Sequence, residues 1–570
     1  MQFPYTKFEE FVVKIKNGQS FLIPNTPVTL DEKGLDELIE LCKNDYTADT
    51  CEKIISGEVN IDSNLKLLLL HAYWLWTYPF GFGGERKFNK LLANSYANIN
   101  KDHINYKDCL SSMGGYGQRM HDEILWILNN VFSLIINTEN FEVFKEQAIN
   151  IWSNNTESIS TRNLLLHVLD SDNYESIAKQ DEKNRIVNAF KSLIPADKSE
   201  DGVDSKLQII RGQLGMNKDE SFYNSKYSIY WKNDLSTPAK KLEYKKALVL
   251  YGPPGTGKTY TAMEIAKTLI VKYYLSSGVV DNDVIAKCKE YINKTEDDVT
   301  FGNDEHISYL QFHINYNYED FIAGQAIEVD SNGKSIVKTK KGFIFDLIEN
   351  AKKNPQAPYI VILDEINRTD ISRVFGELFT AIEKRNTGVM LALPDPDEIG
   401  KRLCLNIPDN VYFIGTMNEI DFSLERVDFA LRRRFVWEYC GYAEDVLKNI
   451  VKRKVSGIGD NKIYDFVSSC TNLNRKIEEV LGESYHIGHA FFAEIANIHK
   501  QVNDLEEEKD KWKYSKKVLW EISIKPTLDA YCGTMDSGLK ETYLGNKNSN
   551  GDFHTAFFGK TKDNDDIENQ

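Results

Sequence analysis

The sequence predicts an α/β fold: a parallel sheet flanked by helices, preceded by a mainly α-helical region and followed by a small helical lid. Three observations carry that expectation. Residues 252–259 read Gly252-Pro253-Pro254-Gly255-Thr256-Gly257-Lys258-Thr259, a complete G-x-x-x-x-G-K-[ST] run, followed by Tyr260. Between residues 246 and 440, short apolar runs at Ala247–Tyr251, Ile307–His313, Tyr359–Leu363 and Val411–Gly415 alternate with helical stretches. Alternation of this kind builds a parallel sheet with crossover helices on both faces. Residues 441–532 then return to helical spacing.

Residues 1–200 show helical periodicity at Leu35–Cys42, Asn64–Trp76, Arg119–Ile136 and Asn163–Leu169, with little strand-like alternation. They are expected to form a recognition or interaction domain. The aromatic run Tyr73-Trp74-Leu75-Trp76-Thr77-Tyr78-Pro79-Phe80, followed by Gly81-Phe82-Gly83-Gly84, reads as core in preference to a stacking platform, because its rings recur at helical spacing. Pro195–Gly202 is polar and punctuated like a linker. Residues 201–245 are expected to connect the two halves, with Phe222, Tyr223, Tyr227, Tyr230 and Trp231 available for packing. Residues 533–570 are poor in aliphatics and are expected to form a flexible tail in which Phe553, Phe557 and Phe558 could dock.

The glycine-rich run lies between an apolar strand and the helical stretch Thr261–Ile270. Its glycines let successive backbone N–H groups point inward at a triphosphate, and the helix N-terminus adds unpaired donors. Lys258 is placed to reach the β- and γ-phosphates, and the Thr259 hydroxyl to hold Mg²⁺. The run Tyr359-Ile-Val-Ile-Leu-Asp364-Glu365 supplies the second half: a buried strand ending in two carboxylates at the sheet edge where ligands of such folds sit. Asp364 is expected to bind Mg²⁺ through water, and Glu365 to orient and deprotonate the attacking water. An acidic pair after an apolar run also suits a helix cap; a phosphate loop at domain-scale distance favours the catalytic reading.

A further strand, Val411-Tyr-Phe-Ile-Gly-Thr416-Met417-Asn418, brings Asn418 to a polar tip where it could hold the lytic water. Beyond it comes Asp428-Phe-Ala-Leu-Arg432-Arg433-Arg434-Phe435. Three arginines at a helix end complement the C-terminal dipole. The alternative is an arginine finger directed at a neighbouring subunit's γ-phosphate, which requires head-to-tail subunits and hence a ring.

These blocks together resemble McrB-type AAA+ proteins, the nucleotide-driven subunits of modification-dependent restriction systems. Besides the phosphate loop, the resemblance rests on Gln311-Phe-His-Ile-Asn-Tyr316-Asn-Tyr318-Glu319-Asp320-Phe321, Asp364-Glu-Ile-Asn367-Arg368, Ser372-Arg-Val-Phe-Gly376-Glu377-Leu378, Gly415-Thr-Met-Asn418, Ala430-Leu-Arg-Arg-Arg-Phe435 and Ile487-Gly488-His489-Ala-Phe-Phe492. It covers roughly residues 245–532. It implies an AAA+ module with a core at 246–440 and a helical lid at 441–532, Asn418 as sensor, and Arg433 and Arg434 at the finger positions. His489 falls where the lid approaches the nucleotide, or is a core histidine. It further implies a homo-hexameric ring, ATP or GTP with Mg²⁺, a separate McrC-like nuclease subunit, and DNA reached directly or through that partner. The family pattern M-N-T-A-D-R-S is replaced by Met417-Asn-Glu-Ile-Asp421-Phe422-Ser423, which leaves the base open.

Composition sets bounds on function. The 69 basic and 85 acidic residues give a net charge of −16, which argues against a generally DNA-coating or membrane-attracted surface. Cys42, Cys51, Cys109, Cys288, Cys404, Cys440, Cys470 and Cys532 are scattered without paired spacing, as expected of reduced thiols in a cytoplasmic protein without zinc. The stretch Met1-Gln-Phe-Pro-Tyr-Thr-Lys7 does not read as a signal peptide, so none is expected, and no apolar run approaches the ~18–20 residues of a membrane span. The 324–341 segment interrupts the second strand's connection to its helix, as either a solvated hairpin or a pore-facing element with Lys338, Lys340 and Lys341. A defence-system NTPase is the leading function; a protein-remodelling ATPase and a nucleotide-gated assembly module are the alternatives.

Overall fold

The structure, a computed structural model, describes residues 3–43, 50–78, 88, 120–154, 159–218, 220–232, 237–276, 282–295, 298, 304–329, 335–420, 429–455, 457–503, 510–533, 535–545 and 551–559. The chain divides into two compact units: residues 1–233 with 274–289, and residues 234–273 with 290–570.

The first unit is helical in its described residues. Its axis is the helix Ser63–Thr77, started by Asp62, whose side chain accepts from the Asn64 and Leu65 N–H groups. Tyr73, Trp74, Leu75 and Trp76 are all at 0% exposure, so the aromatic run is core as far as Tyr78; Pro79-Phe80 and the glycines after them lie outside the described residues. On the same helix, His71 accepts the Phe21 and Leu22 N–H groups at Nε2 (3.1 and 3.3 Å), while Nδ1 lies 2.7 Å from the Leu67 carbonyl. Full burial pushes its pKa down to about 4, so the ring stays neutral and remains an acceptor. From Met120 onward the Arg119–Ile136 expectation appears as one continuous helical run with a π-helical segment at Ile127–Phe132, and Arg119 lies outside the described residues. Cys42 and Cys51 are both buried, and each thiol shifts the other's pKa, Cys42 upward and Cys51 downward.

Among the described residues the second unit holds nine strands: β1 (Ala247–Gly252), β2 (Ile307–Gln311), β3 (Ala323–Val329), β4 (Ser335–Lys341), β5 (Tyr359–Asp364), β6 (Val389–Pro394), β7 (Arg402–Leu405), β8 (Val411–Asn418) and β9 (Val436–Tyr439). Five form a parallel sheet in the order β2-β5-β8-β1-β9. Every residue of β5 is buried, which is why its sequence runs apolar without alternation. The four expected strands are all present; β9 was not anticipated, because it is short and only half-buried. The 324–341 segment is an antiparallel pair of β3 and β4, with Ile327 opposite Val337; residues 330–334 between them lie outside the described residues. A second antiparallel pair, β6–β7, precedes β8 and was also unforeseen.

Helices Glu444–Lys454, Asp460–Leu481, His489–Ala493, Ile495–Asn503 and Lys511–Leu519 build the lid. The tail expectation requires correction. Ser537–Leu544 and Asp552–Phe558 are helical, and Phe553 and Phe557 are fully buried in the lid core. Phe557 stacks on Trp520 at 5.7 Å and meets Phe466 edge-on at 6.3 Å. Burying each ring favours docking by about 1.5–3 kcal/mol, enough to order a segment whose average composition reads as flexible.

Candidate functional site

The C-terminal ends of β1, β5 and β8 meet at one edge of the sheet, where Gly252 stands opposite Asn418 in register and Leu363 opposite Gly415. The phosphate loop leaves β1 here and turns into the helix Lys258–Ser276. Lys258 is buried; its ammonium donates to the Gly252 and Pro253 carbonyls at 3.1 and 2.6 Å. Burial pulls its pKa down to about 8, against the opposing pull of nearby acidic groups that include Asp364 and Glu365. Thr256 donates to the Pro253 carbonyl at 2.9 Å, tightening the loop, whereas Tyr260 is 57% exposed.

Asp364 is 6% exposed and accepts three hydroxyls. Thr259 and Thr416 donate to Oδ1 at 3.0 and 2.5 Å, and Tyr309 donates to Oδ2 at 2.8 Å. Thr259 and Asp364 thus present hard oxygen donors side by side next to the cradle, a set that suits Mg²⁺. Glu365 follows in left-handed backbone, φ 53° and ψ 47°. For a residue with a Cβ this costs on the order of 1–3 kcal/mol and persists only where the surroundings impose it. Its N–H donates to Thr416 Oγ1 at 3.1 Å. Its carboxylate accepts from Gln311 Nε2 at 3.1 Å and from Arg368 at 2.7 and 2.9 Å. The Asn418 carbonyl accepts from Asn367 Nδ2 at 2.8 Å, tying the end of β8 to the turn after β5.

The lid touches this edge through a glycine pair. A Cβ on Gly488 would lie 2.2 Å from the Gly255 carbonyl carbon and 2.3 Å from the Pro254 oxygen. The Ala490 N–H donates to the Gly255 carbonyl at 2.9 Å. His489 is buried, accepts the Ala443 N–H at Nε2 (2.7 Å), bonds the Thr256 backbone and stacks on Tyr442 at 5.2 Å. Burial holds its pKa below the usual value, so the ring is neutral. Of the two readings of His489, a lid residue near the nucleotide or a core histidine, the structure gives a buried ring whose hydrogen bonds go to backbone and whose link to the cradle runs through the loop.

The two arginines separate. Arg433 is 66% exposed and pairs with Glu383 Oε1 at 3.3 Å. Arg434 is 8% exposed; it donates through Nε to the Phe379 carbonyl at 2.8 Å, reaches Glu383 Oε2 at 3.2 Å and lies over the Phe379 ring at 5.2 Å. The expectation that both point outward is therefore corrected for Arg434, whose long stem and planar head are consumed by packing within its own chain. Asp421, Ser423 and Asp428 lie outside the described residues.

Sequence reasoning assigned no role to Thr416, Tyr309, Gln311, Arg368 or Glu383. Thr416 was legible in principle, since it lies two residues before Asn418 and therefore on the same face of β8. Gln311 ends β2 opposite Asp364, a pairing that becomes visible only with the strand order.

Residues 248–439 match the family described as "ATPase family associated with various cellular activities (AAA)". Over 263 residues, 45% of this chain, the sequence is 32% identical to the type IV methyl-directed restriction enzyme EcoKMcrB subunit of Escherichia coli K12, covering 50% of that protein. Over 53% of this chain it is 23% identical to the type II restriction enzyme BsuMI component YdiS of Bacillus subtilis 168, covering 86% of that protein. The chain thus spans about half the length of the first relative and most of the second. With the phosphate loop, the acidic pair and the sheet order in place, residues 248–439 form an AAA-type nucleotide-binding module, and the chain is similar there to McrB-type restriction subunits.

Proposed function

We propose that this chain is the nucleotide-hydrolysing subunit of a restriction system, assembled head-to-tail as a homo-hexameric ring and coupled to a separate McrC-like nuclease that cuts foreign DNA in the cytoplasm. The observation that carries this reading is the convergence of Lys258, Thr259, Asp364, Glu365 and Asn418 on one sheet edge, with a solvent-facing Arg433 on the same unit. Among the described residues no helix is long and apolar enough to cross a membrane.

The chemistry follows from those side chains. Lys258 and the loop N–H groups hold the triphosphate, with Lys258 exchanging its two loop carbonyls for phosphate oxygens. Thr259 and Asp364 are the residues that would hold Mg²⁺, which neutralises phosphate charge when bound. Glu365 accepts a proton from water as the water oxygen bonds to the γ-phosphorus. The bond from that phosphorus to the bridging oxygen breaks, and the diphosphate leaves. Arg433 of the next subunit supplies positive charge to the γ-phosphate during transfer.

The nucleotide is ATP in this reading, with GTP the competing outcome. Phosphate release from each, by wild type and Glu365→Gln, tests the assignment. The Gln variant should bind triphosphate and lose about 10²–10⁴ in turnover; turnover at the wild-type rate would remove Glu365 from the mechanism.

A further inference from the structure

Thr416 is the point where the two acidic residues of the site are joined. It is 2% exposed on β8, and its hydroxyl has one proton and two lone pairs. The proton goes to Asp364 Oδ1 at 2.5 Å, and a lone pair receives the Glu365 N–H at 3.1 Å. Both groups have few alternatives. Strand β5 ends at Asp364, so the Glu365 N–H has left the sheet ladder. Glu365 also sits in left-handed backbone, which only an imposed contact keeps occupied. Gln311 and Arg368 orient the tip of the Glu365 carboxylate; they do not hold its backbone root. On the Asp364 side, Thr259 shares Oδ1 with Thr416, so the hydroxyl of Thr416 also fixes which way that oxygen faces.

We propose that Thr416 is a positioning residue for hydrolysis: one hydroxyl sets the metal-binding carboxylate of Asp364 and the backbone of the water-activating Glu365 relative to each other. This rests on the roles of Asp364 and Glu365 proposed above. Thr416 touches no reacting atom and acts only through its two neighbours.

Thr416→Val keeps the branched shape and removes the hydroxyl, whereas Thr416→Ser keeps the hydroxyl. In the valine variant of the full-length chain, hydrogen exchange in peptides spanning 364–368 should rise about tenfold or more as the Glu365 N–H loses its acceptor. The Mg²⁺ concentration needed for half-maximal binding of a fluorescent triphosphate should rise several-fold. Turnover should fall about 10–100-fold, the scale expected of a small misplacement, with metal-free triphosphate affinity unchanged. The serine variant should recover turnover to within a few-fold. In a Glu365→Gln background at saturating Mg²⁺, Thr416→Val should add little further loss, because one of the two groups it positions is already disabled and the metal site beside the other is filled.

Wild-type exchange and wild-type Mg²⁺ dependence in the valine variant would overturn the proposal, as would a full additional loss on top of Glu365→Gln or a serine variant as impaired as valine. If valine destabilises the fold, Thr416→Ala against Thr416→Ser gives the same one-hydroxyl contrast. Should Glu365→Gln itself turn over normally, the fault lies in the Glu365 assignment, and the exchange measurement still decides whether Thr416 holds that backbone.

Discussion

At the scale of single residues, the site is a set of commitments made by polar atoms that have little choice of partner. Lys258 is the clearest case. Burial leaves its ammonium half-charged near pH 8 in the free protein, and a bound triphosphate favours the charged form. Affinity for triphosphate should therefore be flat below about pH 7 and fall by up to about tenfold per pH unit above 8, until the pKa of the complex is passed. A pH series of nucleotide binding checks this, and Lys258→Ala should abolish both the affinity and its pH dependence. The arginines give a second residue-scale prediction. Arg433→Ala should leave stability within about 0.5 kcal/mol and cut hydrolysis by roughly 10³ or more. Arg434→Ala should instead lower stability by about 1–3 kcal/mol through its lost carbonyl bond and packing. Thermal melts beside turnover measurements separate the two, and an Arg434 variant that melts like wild type would contradict its structural role.

At the scale of elements, two features of the second unit carry distinct expectations. The turn at Gly488 packs on the phosphate loop so closely that a single methyl does not fit. Gly488→Ala should push the lid turn or the loop aside, costing about 1–3 kcal/mol and weakening triphosphate binding. Unchanged melting and binding would mean that the contact yields freely. On the β3–β4 pair, Ile327, Val329 and Val337 are 76, 68 and 64% exposed. Lys341 is committed to Asp397 at 2.5 Å and Lys338 to Glu328 at 3.0 Å, while Lys340 has no ion-pair partner among the described residues. Neutralising Lys338 and Lys340 together should weaken nucleic-acid or partner stimulation of turnover without changing the basal rate. Stimulation equal to wild type would leave the pair a solvated surface feature.

At the scale of the whole molecule, the expectation is catalysis shared between copies. An Arg433→Ala chain keeps Glu365, and a Glu365→Gln chain keeps its finger. A mixed ring therefore contains interfaces with both groups intact and should recover part of the wild-type turnover. Co-assembly without recovery would place Arg433 in cis. By itself the sequence determined the parts whose physics is local. A glycine-rich loop between an apolar run and a helix defines a phosphate cradle, continuous apolar runs define buried parallel strands, and carboxylates after such a run fall at the ligand edge. Composition alone, by contrast, misjudged Ser537–Leu544 and Asp552–Phe558, because two phenylalanines decide their docking and an average does not register them. Only the tertiary structure decided which side chains spend their hydrogen bonds where. It turned Arg434 inward and left Arg433 outside, gave His489 to backbone, and set Thr416 between Asp364 and Glu365. Those outcomes depend on the strand order β2-β5-β8-β1-β9 and on helices distant in sequence. Hydrogen bonding and burial are settled by whichever groups the fold brings within about 3 Å, and one-dimensional spacing does not encode that proximity.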